Sequence, residues 1–408
     1  MADRSFRRRP PVPGFGMVEL MVGLVVGMVV VLIIAQSYSA FESQKRTSTG
    51  GSDAQDSGLM ALHLLQTDAR MAGLGLATSA GLACSTMNFY NDAMAPAAQM
   101  GVPVMPVQII DGGAGPNSSD TVIMTYSSAA TGGVPAALVT SASNSASALT
   151  VQAPAGVYNI GDLLLVAQPG SGLPCARIQV AAVQIVAGGL QITPGASGGP
   201  PTLGPPASAN LFTTTYGPSP QSYVYNMGQM VSNQYQVSCT ALTVFDRVRG
   251  GALPAPACAS AGAFANNVVP LADGIVDIQA QYGIAQAGSQ SVTCWVDAVN
   301  LAADPLCPAG AGNWATPAFA SVSRIKAVHI AVVARSAKIE RGAVTNPCRN
   351  TNGGIGSGNL NNGPCAWPDT AASPAPIIDL SADPNWQRYR YKVYETVIPI
   401  RNVLWANL

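Results

Sequence analysis

Phe15 to Ala35 reads FGMVELMVGLVVGMVVVLIIA, 21 residues with a single charge, Glu19. As a helix, that run is long enough to span a bilayer. Ahead of it lie Arg4, Arg7, Arg8 and Arg9 against one acid, Asp3, followed by Pro10, Pro11, Pro13 and Gly14. Arginines beside an apolar helix stay on the cytoplasmic side, which places the rest of the chain outside. A secretory signal peptide is the alternative. Three features oppose it. The run is longer than a signal-peptide core, and Ala35-Gln36-Ser37-Tyr38-Ser39-Ala40 is a poor cleavage signal. Glu19 also sits inside the apolar segment, where an unsatisfied charge costs at least ~2.5 kcal/mol. Gly23 and Gly27 form a small-xxx-small pair that lets helices approach closely.

Beyond the apolar run, Gln36 to Arg46 is polar enough to leave lipid, and Thr47–Ser52 is poor helix material. The pattern predicts a break there, with Ser52 or Asp53 capping a renewed helix. Leu59, Leu62, Leu65, Ala69 and Ala72 then recur at helical spacing, predicting one face packed on a globular domain. Gly73 and Gly75 end that helix.

The 408 residues are enough for one large domain or two modest ones. Charged residues make up 10%, and the net charge is zero, so no basic surplus points to nucleic acid. Short apolar or alternating runs recur at 121–126, 163–166, 178–186, 223–227, 242–248, 275–282, 324–333 and 391–400. Gly-, Pro-, Ser- and Asn-rich stretches at 127–147, 194–210 and 346–376 read as loops between them. The fold class is α+β: a long amino-terminal helix on a β-rich, loop-rich head, with a subdomain boundary near 194–220.

Eight cysteines stand at 84, 175, 239, 258, 294, 307, 348 and 365, none in a C-x-x-C pair, beside two histidines, His63 and His329. That pattern reads as disulfides in an oxidising compartment rather than a zinc site. The later cysteines fall into local pairs, Cys239–Cys258, Cys294–Cys307 and Cys348–Cys365, leaving Cys84–Cys175 to close a long loop. This is one of about 105 connectivities. Each short loop would contribute roughly 3 kcal/mol.

No catalytic constellation, metal site or cofactor motif is present. Gly195-Ala196-Ser197-Gly198-Gly199 fits G-x-S-x-G, but Pro194 before it and Pro200-Pro201 after it oppose the strand–turn–helix that a nucleophile elbow needs. His63 reads as a helix-surface residue and His329 as a strand residue.

Gly14-Phe15-Gly16-Met17-Val18-Glu19-Leu20 resembles the cleavage signal of type IV prepilins: a basic leader, Gly at the cut, Phe next, and Glu at the fifth mature position. The resemblance implies cutting between Gly14 and Phe15 by a prepilin peptidase and methylation of the new amine on Phe15. It also implies that Glu19 pairs with the amine of a neighbouring subunit. Such a pair in low dielectric is strong, and leaving either charge alone is costly, so pairing sets register between packed helices. Gly16 stands where many pilins have Thr, and Gln36 where many have Pro.

Leu62-His63-Leu64-Leu65-Gln66-Thr67-Asp68-Ala69-Arg70-Met71-Ala72-Gly73, with Cys84 shortly after, resembles a signature of the PilW minor-pilin family. So do Pro270–Gly283, Val328–Ser336 and Val397–Asn402, in the right order. Asp68 and Arg70 otherwise read as solvated helix residues, and Gln279 and Gln281 as the outer face of a half-buried strand. The resemblance implies a leader (1–14), a membrane and filament-core helix with its polar extension (15–46), an amphipathic helix (53–73) and a head (84–408). It further implies a non-enzymatic minor pilin, in the inner membrane with its head in the periplasm and then at the pilus tip. Its partners would be other minor pilins, the major pilin and a large tip adhesin. A large type II secretion pseudopilin is the alternative, and a membrane-anchored hydrolase or adhesive module using Ser197 a third.

Overall fold

The computed structural model describes residues 14, 16–78, 81–113, 115–116, 118–131, 133–154, 156–196, 201–251, 264, 267–300, 307, 312–349, 360–368, 370 and 373–405. The chain divides into two compact units, Met1–Ser52 and Asp53–Leu408, and helix α1 (Met17–Met71) contributes to both. In the first unit, the most apolar 18-residue stretch within Met17–Glu42 has a mean hydropathy of 2.8, and none of it is buried. The segment is long and apolar enough to cross a membrane.

The predicted break at Thr47–Ser52 is absent; those residues are helical. Each poor helix former there costs under about 1 kcal/mol, whereas a second helix would need a second unfavourable nucleus.

In the second unit the buried face of α1 keeps Leu65, Ala69 and Ala72 of the predicted stripe, with Leu62 packed against the core, and departs from it at Leu59. It runs through Ala54, Gly58, Ala61, Leu65, Ala69 and Ala72, while Leu59 is 47% exposed. The cause is steric. At Gly58 a Cβ would lie 3.2 Å from the Ala334 Cβ and closer still to the Tyr394 ring. Small residues let the helix lie close to large sheet residues, and that contact outweighs leucine burial at position 59.

Two antiparallel sheets carry this face. One has five strands in the order β13-β12-β11-β4-β3: β3 (Val107–Ile110), β4 (Thr121–Tyr126), β11 (Val231–Ser238), β12 (Ala241–Asp246) and β13 (Val268–Asp273). The other has four in the order β15-β14-β16-β17: β14 (Ile275–Ala285), β15 (Val292–Val296), β16 (Ile325–Arg335) and β17 (Tyr391–Pro399). Their helix-facing residues, among them Ile109, Met124, Tyr235, Ile278, Tyr282, Ile330 and Ile398, form one core with Ala61, Leu65 and Ala69. Strand Gly-Pro-Asn-Ser punctuation and period-2 alternation place all eight predicted runs in strands.

Strand β14 is buried along almost its whole length, as is β16. The alternation predicts a polar face open to water, but a second layer covers it: Trp367, Ala375, Ile378, Leu380 and Trp386 pack on Ala331 and Val333. Gln279 and Gln281 are accordingly buried rather than outward-facing.

Strands β4 and β11 pair directly, Tyr126 opposite Val231, although more than a hundred residues separate them. The intervening chain folds into a closed barrel of six strands: β5 (Pro135–Leu138), β6 (Leu149–Gln152), β7 (Leu163–Ala167), β8 (Cys175–Val186), β9 (Gly189–Pro194) and β10 (Tyr223–Gly228). The ring runs β9-β6-β5-β10-β7-β8 and closes because β8 pairs with β7 through its first half and with β9 through its second. A register shift between Val180 and Ala182 marks the corner, as bulges do. Alternate residues fill the interior, among them Val151, Val166, Ile178, Ile192 and Val224. Leu211, Phe212 and Tyr216, between β9 and β10, join that core. Strands β1 (Thr86–Tyr90) and β2 (Ala98–Pro103) extend the sheet from β8, with β1 parallel to it.

Candidate functional site

At the amino-terminal end, Gly16 starts α1: its carbonyl accepts from the Glu19 and Leu20 amides at 3.0 and 3.2 Å. Glu19 therefore lies in the first helical turn, exposed among exposed apolar neighbours. Gly14 is exposed; Phe15 and the leader before Gly14 lie outside the described residues. An acid in the first turn is favourable for the helix dipole, and the rest of its surroundings is an apolar helix surface without protein cover.

The carboxyl end of α1 is where the head grips it. Asp68 is not a freely solvated residue. Its Oδ1 accepts from the Tyr126 hydroxyl at 3.1 Å, and its Oδ2 accepts from the Tyr235 hydroxyl at 2.7 Å and the Asn233 amide at 2.8 Å. These three partners come from the adjacent strands β4 and β11. Burial and the Asp68 charge both push the two phenol groups to higher pKa, so they stay protonated donors.

One turn beyond, Asn402 in helix α2 (Arg401–Trp405) donates to the Met71 and Ala72 carbonyls, both at 3.0 Å. That satisfies groups the helix end leaves open. The chain then turns through Gly73 (φ +82°) and Gly75 (φ +77°). A Cβ on Gly75 would sit 2.7 Å from the Ser127 Cβ, and one on Gly133 (φ +76°) would overlap the Gly75 Cα. Only glycine fits this crossing. Arg70 is exposed and fits a solvated role, as does His63. No sequence signal marked Tyr126, Asn233, Tyr235 or Asn402, because each reaches α1 only through long-range packing.

The covered face of the second sheet holds a polar network. Asp120 accepts from the Gly112 and Ala280 amides at 2.9 and 2.8 Å. The Gln279 amide donates to the Ser118 carbonyl at 3.0 Å and to Asp277 at 3.2 Å; that of Gln281 donates to Asp297 and to the Pro374 carbonyl. His329 stacks on Trp367 with ring centres 3.8 Å apart, and Trp295 flanks it at 5.3 Å. Burial pushes it down to about 4, so it is neutral packing rather than an acid–base group. Burial likewise pushes Asp277 up to about 7 and Asp297 up to about 6.

A carboxyl held above its unfolded value binds its proton more tightly when folded, so its contribution is present at low pH and is lost as pH rises through the folded pKa. His329 works in the opposite direction between about 4 and 6.5. Asp277→Asn is expected to gain stability relative to the parent as pH rises from about 5 to 8, by about 2 kcal/mol. Because His329 is common to both proteins, the difference between their denaturant midpoints isolates Asp277. A difference that stays constant with pH would remove the assignment.

The structure joins Cys84 to Cys175, Cys294 to Cys307 and Cys348 to Cys365. Cys239 is disulfide-bonded; Cys258 lies outside the described residues, as does Ser197. Among the described residues no group of three or more His, Cys, Asp or Glu is placed to hold a metal ion.

Residues 246–402 match the protein family described as Type IV Pilus-assembly protein W, PilW. The matched stretch contains the whole four-stranded sheet, whereas α1 and the barrel lie outside it. No curated protein and no solved structure matches the chain. The match supports a role related to type IV pili, in contact with other pilus components.

Proposed function

We propose, proceeding from that match, that this chain is a minor pilin that initiates or caps type IV pilus assembly within a tip or priming complex. The match of residues 246–402 to a pilus-assembly family is the observation that carries the reading. The unburied apolar segment Met17–Glu42 supports it, because a helix of that composition needs lipid or other helices around it. Glu19 in its first turn supports it too.

In this reading prepilin peptidase cuts between Gly14 and Phe15 and methylates Phe15. The chain waits in the inner membrane with its head in the periplasm. During assembly the Glu19 carboxylate pairs with the amine of a neighbouring subunit. An unpaired charge in lipid is costly, so only the matching register is stable. The role is structural; partners are other minor pilins, the major pilin and a large tip adhesin.

The test is mass spectrometry of the amino terminus of the membrane-extracted chain, with and without prepilin peptidase. The expected result is a chain beginning at methylated Phe15 only when the peptidase is present. A chain that keeps its leader, or is cut near residue 40, overturns the reading.

A further inference from the structure

We infer that the head binds a neutral sugar in a cleft of about 620 Å³ at the strand ends between its two sheets. The volume falls in the range of small-molecule sites. The cleft opens where β4 and β14 begin and β11 and β16 end.

Its chemistry selects the ligand. Among the described residues the charged groups lining it are Arg335 and Asp383, and they neutralise each other at 3.1 Å. Arg335 is further held over the Tyr389 ring, 4.3 Å from its centre. An incoming ion meets no net charge and must break this pair; an uncharged ligand can use its outer edges. The pair offers fixed donors and acceptors side by side, which suits vicinal hydroxyls. The Thr121 and Thr240 hydroxyls add groups that both donate and accept, while Ser119 at the cleft wall is held by the Ile278 amide at 2.9 Å. The buried Gln236 lines the cleft; its amide oxygen accepts from Gln234 at 2.9 Å and its nitrogen makes one long 3.4 Å contact to Ser238, which leaves an N–H for a ligand. Val276, Leu380 and the Tyr391 side chain supply the apolar surface that a pyranose ring covers.

The backbone turns tightly at the same place. Cys239 and Thr240 both have left-handed φ, +54° and +56°, and the Thr240 carbonyl is pinned by the Gly274 amide at 2.8 Å. Left-handed φ at both positions is what the two-residue turn between β11 and β12 requires, with Ser238 paired to Ala241 across it. The turn holds Thr240 at the cleft wall. An extended peptide fits less well: it adds to a free strand edge, and the cleft lies at strand ends.

The inference does not depend on the pilus reading, and its failure leaves that reading intact. The test uses the full chain in a zwitterionic detergent without a sugar headgroup. Saturation-transfer NMR screens glucose, galactose, N-acetylglucosamine, N-acetylgalactosamine and their β-linked disaccharides, and calorimetry follows any positive. At least one is expected to saturate the protein below about 10 mM. Gln236→Leu and Asp383→Asn should each weaken it about tenfold while the melting temperature of Asp383→Asn stays near the parent's. Should Gln236→Leu fail to fold, Thr121→Val replaces it. Absence of saturation by every sugar in the panel overturns the inference. So does binding untouched by both substitutions, or tighter binding of a short acidic peptide that displaces the sugar.

Discussion

Replacing Cys84 and Cys175 together by alanine lowers the stability of the head by about 4–5 kcal/mol, the largest loss expected of any disulfide here. The two cysteines are 91 residues apart and both are buried, 4% and 0% exposed. Cys175 opens β8, where it lies opposite Met87 of the parallel strand β1. Removing the bond releases a long loop in the unfolded chain, and the entropy regained grows with loop length. Cys294–Cys307 and Cys348–Cys365 close loops of 13 and 17 residues and are each expected to contribute about 3 kcal/mol. Denaturant unfolding of the three double-alanine variants ranks them. If the Cys84/Cys175 variant loses no more than the Cys294/Cys307 variant, loop closure is not what this bond supplies.

Asp68→Ala is expected to cost about 2–4 kcal/mol and to loosen the 53–71 helix from the head. A hydrogen bond to a charged acceptor contributes about 1.5–3 kcal/mol, and three share this carboxylate, so their effects are not additive. The change strands the Tyr126 and Tyr235 hydroxyls and the Asn233 amide beneath the helix. Asp68→Asn keeps one accepting oxygen without the charge and should fall between the two. Hydrogen exchange of the helix amides, set against denaturant unfolding, separates local undocking from global loss. Equal stability of the alanine variant and the parent would show the clasp to be incidental. Arg70→Ala, at an exposed position of the same helix, serves as the control and should change stability by under about 0.5 kcal/mol.

The contrast between these two residues shows how far the chain can be read directly. Asp68 and Arg70 are alike on paper: charged, two apart, on an amphipathic helix. One is clasped and the other solvated because strands β4 and β11, drawn together across the barrel, bring two tyrosines and an asparagine to one side of the helix. The periodicity located the helix and most of its buried face, through Leu65, Ala69 and Ala72, but missed at Leu59. There the face goes to Gly58, because Tyr394 and Ala334 lie too close to leave room for a side chain at position 58. The Gln279 and Gln281 alternation marked a strand, and the second layer around Trp367 and Trp386 then buried its polar side.

The local pattern of the chain specifies the apolar helix, the glycines that end it, the strands with strong alternation and the α+β class. Each of these follows from local rules: hydrophobic period, bilayer length, and the conformations open to glycine. It also predicted a break at Thr47–Ser52 that the helix does not make, since local propensity there is weaker than helical cooperativity. The closed barrel between β4 and β11, the burial of Gly58 where Leu59 was expected, the clasp on Asp68 and the cleft beside Arg335 come from tertiary packing. All four depend on which distant segments meet. That is settled by steric fit and by the pairing of buried polar groups, and neither leaves a periodic trace along the chain.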